Sequence, residues 1–326
     1  MLKNIAVVCG GFSGEAQISA LSVEMILSNI DRKKYNPHKI TISLTEWTAA
    51  VNGENVEVDK NDFSIVDNFK KIKFDLAFII IHGTPGEDGK LQGYFDMIQM
   101  PYTSGNVHNM AITFNKKTTT TLLGNSGFHV AKSIVLKNSK EYNVAEIEKN
   151  FELPFFVKPN NGGSSLGASK VENKSQIEVA IKKAFENGSE VIVEDYLEGR
   201  EFTCGVIWDG TKPMALHITE IESSKIFFDF DAKYKYDGTT EITPAVLPEV
   251  LYKKCQHISE QIYKVLDCRG VIRIDYKLKE NDFFIIEVNT VPGMTEKSIV
   301  PQQAAPMGIS KTQLIEMIIE DCLSGR

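Results

Sequence analysis

No apolar run in the chain approaches the roughly 20 residues that a bilayer span needs. The N-terminal run at residues 5–9, IAVVC, is also too short for the apolar core of a secretion signal, so neither insertion nor export is expected. Positive charge is in deficit, with 36 Lys and Arg against 43 Asp and Glu and a net charge of −7. The basic stripe that holds a nucleic-acid backbone is missing, which excludes that class of partner but not phosphorylated small molecules. The five cysteines, Cys9, Cys204, Cys255, Cys268 and Cys322, are scattered and odd in number, without CxxC spacing. They read as core packing in a reducing compartment, and a cytoplasmic location is expected. Repeats and low-complexity tracts are absent. So is a Walker A loop, and a Gly-x-Gly-x-x-Gly dinucleotide fingerprint fails because it needs glycine where Cys9 stands. What remains is a soluble chain of 326 residues, 42% hydrophobic and 24% charged, long enough for two or three domains with sizeable cores.

Chemistry is expected in residues 282–301, DFFIIEVNTVPGMTEKSIVP, where a strand ends in hard oxygen ligands and enters a Pro-Gly turn. Just upstream, VIRIDYKLK (residues 271–279) alternates Ile272, Ile274, Tyr276 and Leu278 with Arg273 and Asp275, the period of a half-buried strand. A three-residue turn of Glu280, Asn281 and Asp282, pairing Lys279 with Phe283, sets Asp275 opposite Glu287 and Arg273 opposite Asn289 on one face. Phe284, Ile286 and Val288 then occupy the other. Asp275, Glu287 and Asn289 are oxygen ligands at cross-strand spacing and suit Mg2+. The competing reading is a hairpin with a plain polar face. Against it, Phe283 and Ile285 fall on the same side as the acids, so that side is expected to be covered. Covered carboxylates need more cation than Arg273 supplies. Pro292-Gly293 can turn backbone N–H groups toward a ligand, with Ser298 just beyond.

Earlier in the chain, residues 4–9 predict a buried strand, GGFSG (10–14) a tight loop, and Ile18, Leu21, Met25 and Ile26 the stripe of a helix. Glu15 opens that helix, either as a cap on its dipole or as the ligand of a substrate ammonium. Residues 39–44 and 74–81 predict further strands, the second a continuous apolar run of the interior parallel kind. His82 closes that run at the sheet edge where the loop before Glu15 also ends, the side on which open α/β sheets bind ligands. It can equally be structural. A domain boundary is placed near Ser104. Residues 115–123 predict a threonine-rich helix, and residues 155–158 a strand opening into PNNGGSSLG. The loop at 162–167 can offer amides to phosphate with Lys158 and Lys116 as cations, or can be an ordinary Gly/Ser turn. Residues 190–195 predict another strand, and Glu194 within it and Glu201 in the connector beyond can read a nucleotide's amine and ribose. FFDFDAKYKYD (227–237) has neither period and reads as a surface loop with functional potential. Residues 312–323 predict an amphipathic helix.

In this order GGFSGEAQIS, HGTPGEDGKLQG, KPNNGGSSLG, FFDFDAKY, RIDY and EVNTVPGMTEKSIVP resemble the motifs of the D-alanine–D-alanine ligases of the ATP-grasp superfamily, over essentially the whole chain. The resemblance implies an α/β fold, α+β in its ATP-binding part: an N-terminal open parallel-sheet domain (1–104), a central domain (105–197) and a C-terminal domain (198–326), the last two clasping ATP. It implies ATP-dependent joining of two D-alanines through an acyl phosphate, for peptidoglycan precursors, and a homodimer. By position it makes Lys116, Lys158 and Lys233 phosphate ligands, Glu194, Leu197 and Glu201 the adenine and ribose contacts, and Asp275, Glu287 and Asn289 the holders of two Mg2+ ions, with Mn2+ able to substitute. Glu15, with His82 nearby, takes the first D-alanine's ammonium. Arg273 and the Gly293 amide meet the oxyanion, Ser298 and the Ile299 amide take the second carboxylate, and Tyr234 with Ser164 connects to Glu15 and closes the site.

Some positions depart from the pattern. Ala16-Gln17 replace a basic residue and Glu of many relatives, Asn160-Asn161 replace more charged loop residues, and Asp195 stands where several have Lys. A D-alanine–D-lactate ligase, another ATP-grasp carboxylate–amine ligase and a non-catalytic nucleotide binder are the alternatives, with a dinucleotide oxidoreductase the most distant.

Overall fold

The computed structural model describes residues 2–163, 166–223 and 239–325. The chain begins with β1 (Lys3–Gly10), α1 (Ala16–Asn29), β2 (Tyr35–Ile42), β3 (Trp47–Val51) and β4 (Glu54–Glu57), followed by β5 (Ile65–Asp67), β6 (Lys70–Ile72) and β7 (Leu76–Ile79). The first sheet runs β4-β3-β2-β1-β7, while β5 and β6 pair apart as a small ribbon. β1 is parallel to β2 and β7, whereas β2–β3 and β3–β4 are antiparallel. The open sheet thus has a parallel core with an antiparallel edge. β7 is apolar throughout, as an interior strand would be, yet it stands last in the ladder. Its outer edge is protected instead by the segment that bonds Ala77 through Pro101 O and the Thr103 N–H, which removes the unpaired edge its composition argues against.

α2 (Lys90–Met97), α3 (Val107–Phe114) and α4 (Lys116–Asn125) follow. The threonine-rich helix is the second of two in tandem: Asn106 caps α3 and Asn115 caps α4, each side chain accepting from the backbone N–H three residues on. The second sheet contains β8 (Ser133–Leu136), β9 (Phe155–Pro159), β10 (Ser169–Val171) and β11 (Val191–Asp195) in the order β10-β9-β11-β8, all antiparallel. Beside it lie α5 (Val144–Asn150) and α6 (Ile177–Phe185). The α6 stripe Ile177, Ala180, Ile181 and Ala184 is buried with Phe155, Val157, Val191 and Val193, so one face of the sheet is backed and the other left for a ligand.

The third sheet is built from β12 (Arg200–Trp208), β13 (Pro213–Ser223), β14 (Thr239–Ile242), β15 (Val271–Lys279) and β16 (Asp282–Asn289), ordered β14-β13-β12-β15-β16. α7 (Glu249–Val265) covers one face, burying Cys255, Ile262 and Tyr263 against Ile272, Ile274 and Tyr276, and Leu123 of α4 joins that core. The short α8 (Ile299–Ala304) and α9 (Lys311–Leu323) close the chain. α9 returns to the first sheet, where Leu314, Ile315, Ile318 and Ile319 pack with Ile5, Val7, Phe78 and Ile80. Among the described residues no helix is long and apolar enough to cross a membrane.

The β15–β16 hairpin differs from its expected form in two ways that cancel. Its turn is Glu280-Asn281, with Glu280 at φ 58°, and Lys279 pairs with Asp282 rather than Phe283. Between Tyr276↔Ile285 and Asp275↔Glu287 the register shifts, leaving Ile286 as the extra residue of a bulge. Asp275 therefore still opposes Glu287, and Arg273 still opposes Asn289. What changes is the side taken by the apolar residues. Phe283 and Ile285 are buried with Val288 in the core beneath α7, not beside the acids, and Ile286 joins Glu287 in facing the cleft. A bulge resets the alternation of side chains, which no uninterrupted period of two can express.

Candidate active site

A cleft of about 1140 Å3 opens between the three sheets. It is lined by Glu15, Lys116, Lys158, Glu194, Leu197, Glu201, Arg273, Asp275, Glu287 and Ile299, drawn from all three parts of the chain. His82, Asn289, Gly293 and Ser298 are not among the residues that line it. Ser164, Lys233 and Tyr234, with the rest of residues 227–237, lie outside the described residues.

The third sheet supplies a cross-strand ladder. On β15, Arg273, Asp275 and Lys277 share the face turned from α7, opposite Gly205, Thr203 and Glu201 of β12. The Arg273 guanidinium donates from Nε and Nη2 to the two oxygens of Asp275, each at 2.8 Å. Thr203 Oγ1 donates to Asp275 Oδ1 at 2.6 Å, and Asn289 Nδ2 to Asp275 Oδ2 at 3.1 Å. Charge elsewhere in the cleft is likewise paired: Lys158 with Glu194 at 2.6 Å, Lys277 with Glu201 at 2.9 Å and Lys116 with Glu287 at 3.7 Å. These side chains are largely withdrawn from water, with 11% and 12% of Lys116 and Lys158 exposed. Electrostatics here is stronger than at an open surface, and a polyanion entering the cleft would compete with the acids for the ammonium groups.

Beyond the end of β1, Glu15 is the N-cap residue of α1, where its charge can complement the helix dipole, but its side chain makes no capping hydrogen bond. Its carboxylate lies between the backbone at Gly83 and that at Gly163. A Cβ on Gly163 would come within 3.0 Å of Glu15 Oε1, so the glycine lets the backbone at that residue approach so close. His82 is buried, and its Nδ1 meets Val291 O at 2.8 Å. A carbonyl can only accept, so Nδ1 carries the hydrogen. Burial holds the His82 pKa below its usual value, while the Glu15 charge and the bond to Val291 oppose that shift. The neutral ring then presents Nε2 as an acceptor. This buried atom has no hydrogen-bond partner among the described residues. A carboxylate and a lone pair near one another suit an ammonium group.

Glu87 belongs to the site although no strand or helix pattern singled it out. It sits in HGTPGEDG beside Asp88 and reads as one more loop acid. In the structure Oε2 accepts from Gly83 N–H at 2.6 Å and Oε1 from Val291 N–H at 3.3 Å. Val291 is thus held by Glu87 at its N–H and by His82 at its carbonyl. This fixes the chain just before Pro292-Gly293, where Met294 N–H also donates to Ser22 Oγ at 3.2 Å. Gly293 packs close to Ser298, whose Oγ accepts from Thr295 N–H at 2.8 Å. Burial and then the neighbouring Glu15 charge push Glu87 up to about 8 from its ordinary 4.5, against its two amide bonds. The folded state therefore binds a proton that the unfolded chain has lost, and stability present below about pH 4.5 declines as pH rises toward about 8. Glu87→Gln cannot titrate. Melting curves between those limits should show a shallower decline for the variant than for the wild type, and parallel curves would remove Glu87 as the source.

Lys277 and Thr203 also complete the ladder without having been singled out. Both were within reach of the sequence. Lys277 continues the Arg273, Asp275 alternation, but the partner strand that gives it meaning lies 76 positions earlier in the chain, at Glu201.

Residues 4–105 match the family described as D-ala D-ala ligase N-terminus, and residues 122–320 match D-ala D-ala ligase C-terminus. The chain is 43% identical over 322 residues to a D-alanine–D-alanine ligase of Azobacteroides pseudotrichonymphae, covering 98% of this chain and 99% of the relative. Its fold is similar to that of the VanG D-Ala:D-Ser ligase from Enterococcus faecalis, with a TM-score of 0.88 and 31% identity over 98% of this chain and 99% of the other. It is also similar to the Bacillus anthracis D-alanine–D-alanine ligase solved in complex with ATP, with a TM-score of 0.80 and 31% identity over 99% and 98% of the two chains.

Proposed function

The chain belongs to the D-alanine–D-alanine ligase family, and from that premise we propose that it joins two molecules of D-alanine at the expense of ATP in the cytoplasm, supplying the dipeptide for peptidoglycan precursors. We assign the N-terminal part (1–104) to the first amino acid and the parts 105–197 and 198–326 to ATP, and propose that the chain acts as a homodimer. The observation that carries the reading is that Glu15, Lys116, Lys158, Arg273 and Glu287, far apart in sequence, line one cleft.

In this reading Glu15 and His82 Nε2 take the ammonium of the first D-alanine. One oxygen of its carboxylate attacks the γ-phosphorus of ATP. An O–P bond forms, the bond to the bridging oxygen breaks, and ADP leaves. Lys116 and Lys158 release Glu287 and Glu194 to neutralise the phosphates, and Glu194, Leu197 and Glu201 hold the base and ribose. The amine of the second D-alanine, its carboxylate held by Ser298 and the Ile299 amide, then attacks the acyl carbon. The oxyanion of the tetrahedral intermediate meets Arg273 and the Gly293 N–H. The C–O bond to phosphate breaks, the amine nitrogen passes a proton to the departing phosphate, and dipeptide and inorganic phosphate remain. Closing the 162–167 loop over the cleft keeps water from the acyl phosphate until the amine arrives.

Mg2+ fits the donor set as a partial cage. Glu287 supplies a carboxylate, and Asn289 turns its Nδ2 to Asp275, which leaves the amide oxygen as its ligating atom. Asp275 is the most committed of the three, since both its oxygens already accept from Arg273 and its neighbours. Among the described residues no cluster of three His, Cys, Asp or Glu forms, so phosphate oxygens and water would complete the shell. When bound, the ion neutralises charge on the transferring phosphoryl group.

The test is product identification after incubation with ATP, Mg2+ and D-alanine, with L-alanine as control and D-lactate or D-serine as competing acceptors. Stoichiometric D-alanyl-D-alanine and ADP are expected. Phosphate release indifferent to D-alanine sinks the reading, and a dominant ester or D-alanyl-D-serine product reassigns the acceptor.

A further inference from the structure

Behind the ladder lies a fully buried amide that the reaction as described does not use. Gln303, on α8, is 0% exposed. Its Oε1 accepts from Gly205 N–H at 2.8 Å, and its Nε2 donates to Thr203 O at 2.9 Å and to Thr219 Oγ1 at 3.1 Å. At this point the β12–β13 register slips between Cys204 and Val206. The Gln303 carboxamide thus supplies the partner that the Gly205 N–H would otherwise find in β13. Gly205 is needed for this, because a Cβ there would come within 2.7 Å of Gln303 Oε1.

The two residues that Gln303 grips on β12 are the ones opposite Asp275 and Arg273. Thr203 faces Asp275 and donates to its Oδ1 at 2.6 Å, and Gly205 faces Arg273. Gln303 is also four residues beyond Ile299, which lines the cleft at the other end of α8. One side chain therefore fixes the helix that carries Ile299 against the strand that orients Asp275, and through Asp275 the plane of the Arg273 guanidinium. A hydrophobic residue of similar volume would fill the space but take the acceptor from the buried Gly205 N–H at the register slip and the Nε2 donor from Thr203 O and Thr219 Oγ1, and the slipped strand would be free to shift.

We infer that Gln303 is a positioning residue, which acts through Thr203 to set the Asp275–Arg273 pair against the accepting amino acid. The inference rests on the functional reading above for the roles of Arg273 and Ile299. It goes beyond that reading in assigning the coupling between them to one buried amide.

A double-mutant cycle with Gln303→Met and Thr203→Val tests it, both substitutions being close to isosteric. Rates are read as ADP release with whichever acceptor the wild type uses, and the melting temperature of each variant is measured alongside. A misplacement on the scale of an ångström costs up to about a hundredfold in rate. Each single variant should therefore lose roughly ten- to a hundredfold in kcat and raise the KM for the acceptor, with the KM for ATP nearly unchanged. Because one residue acts through the other, the double variant should be no slower than the worse single variant. Losses that multiply would overturn the inference, as would a Gln303→Met protein that melts earlier yet keeps its kcat and acceptor KM. A variant that fails to fold is replaced by Gln303→Glu. This keeps the acceptor for Gly205 but sets a carboxylate against Thr203 O, and it is expected to show the same split between the two KM values; wild-type values for both would overturn the inference. A wild type that forms no D-alanyl-D-alanine would fail the functional reading alone, since the cycle remains readable with another acceptor.

Discussion

Glu287→Gln should lower Mg2+-dependent turnover by roughly two to three orders of magnitude, the scale of several kcal/mol of lost charge stabilisation, while leaving the fold intact. The expectation follows from where the residue sits. Glu287 opposes Asp275 across the β15–β16 ladder and faces Lys116 at 3.7 Å. Glutamine keeps the shape and one acceptor oxygen but removes the charge that binds a hard cation. The backbone around it is held by the ladder and by the core residues Phe283, Ile285 and Val288, none of which the substitution touches. Initial rates of ADP release over a range of Mg2+ concentrations, with a melting curve for each protein, check the result. Turnover within a fewfold of wild type at saturating Mg2+ would take Glu287 out of the metal site.

The same hairpin shows how far the sequence could be read. The opposition of Asp275 to Glu287 was legible because the alternation on β15 and the polar residues of β16 converge on it. The path to it was not, since a two-residue turn and a bulge at Ile286 compensate one another, and a bulge leaves no mark in a pattern of period two. The strand and helix types were legible wherever one face is buried. Position within a sheet was harder: β7 has the composition of an interior strand because the 101–103 segment covers its edge. Glu15 shows a different limit. At the start of a helix a carboxylate reads as a cap, and only the approach of the glycine loop from another sheet reveals that it faces a cleft. Glu87 and Gln303 were hidden for a similar reason. Each acts on backbone groups brought to it by folding, Val291 in one case and Gly205 in the other, and contacts at such separation have no local signature.

Arg273 allows charge to be separated from geometry. In Arg273→Lys the positive charge stays, but the fork that donates from Nε and Nη2 to Asp275 is lost. Lysine offers one compact ammonium on a flexible stem and cannot hold a carboxylate in two parallel bonds. If Arg273 contributes only a positive potential, Arg273→Lys should retain most of the activity. The structure argues otherwise, because the guanidinium plane is set by Asp275, which is in turn set by Thr203 and Asn289. A donor meant for a developing oxyanion works by being fixed before the charge appears, and removal of one such donor costs roughly a hundred- to a thousandfold in kcat. Both Arg273→Lys and Arg273→Met are therefore expected to fall in kcat to that extent, with ATP affinity changed much less. Only 19% of Arg273 and 15% of Asp275 is exposed, so the methionine variant, which leaves the carboxylate without its cation, should also melt at lower temperature than the lysine variant. Single-turnover formation of dipeptide together with equilibrium binding of ATP would resolve these effects. A lysine variant with nearly wild-type kcat would show that charge alone suffices and that the ladder orienting the guanidinium is not needed for the reaction.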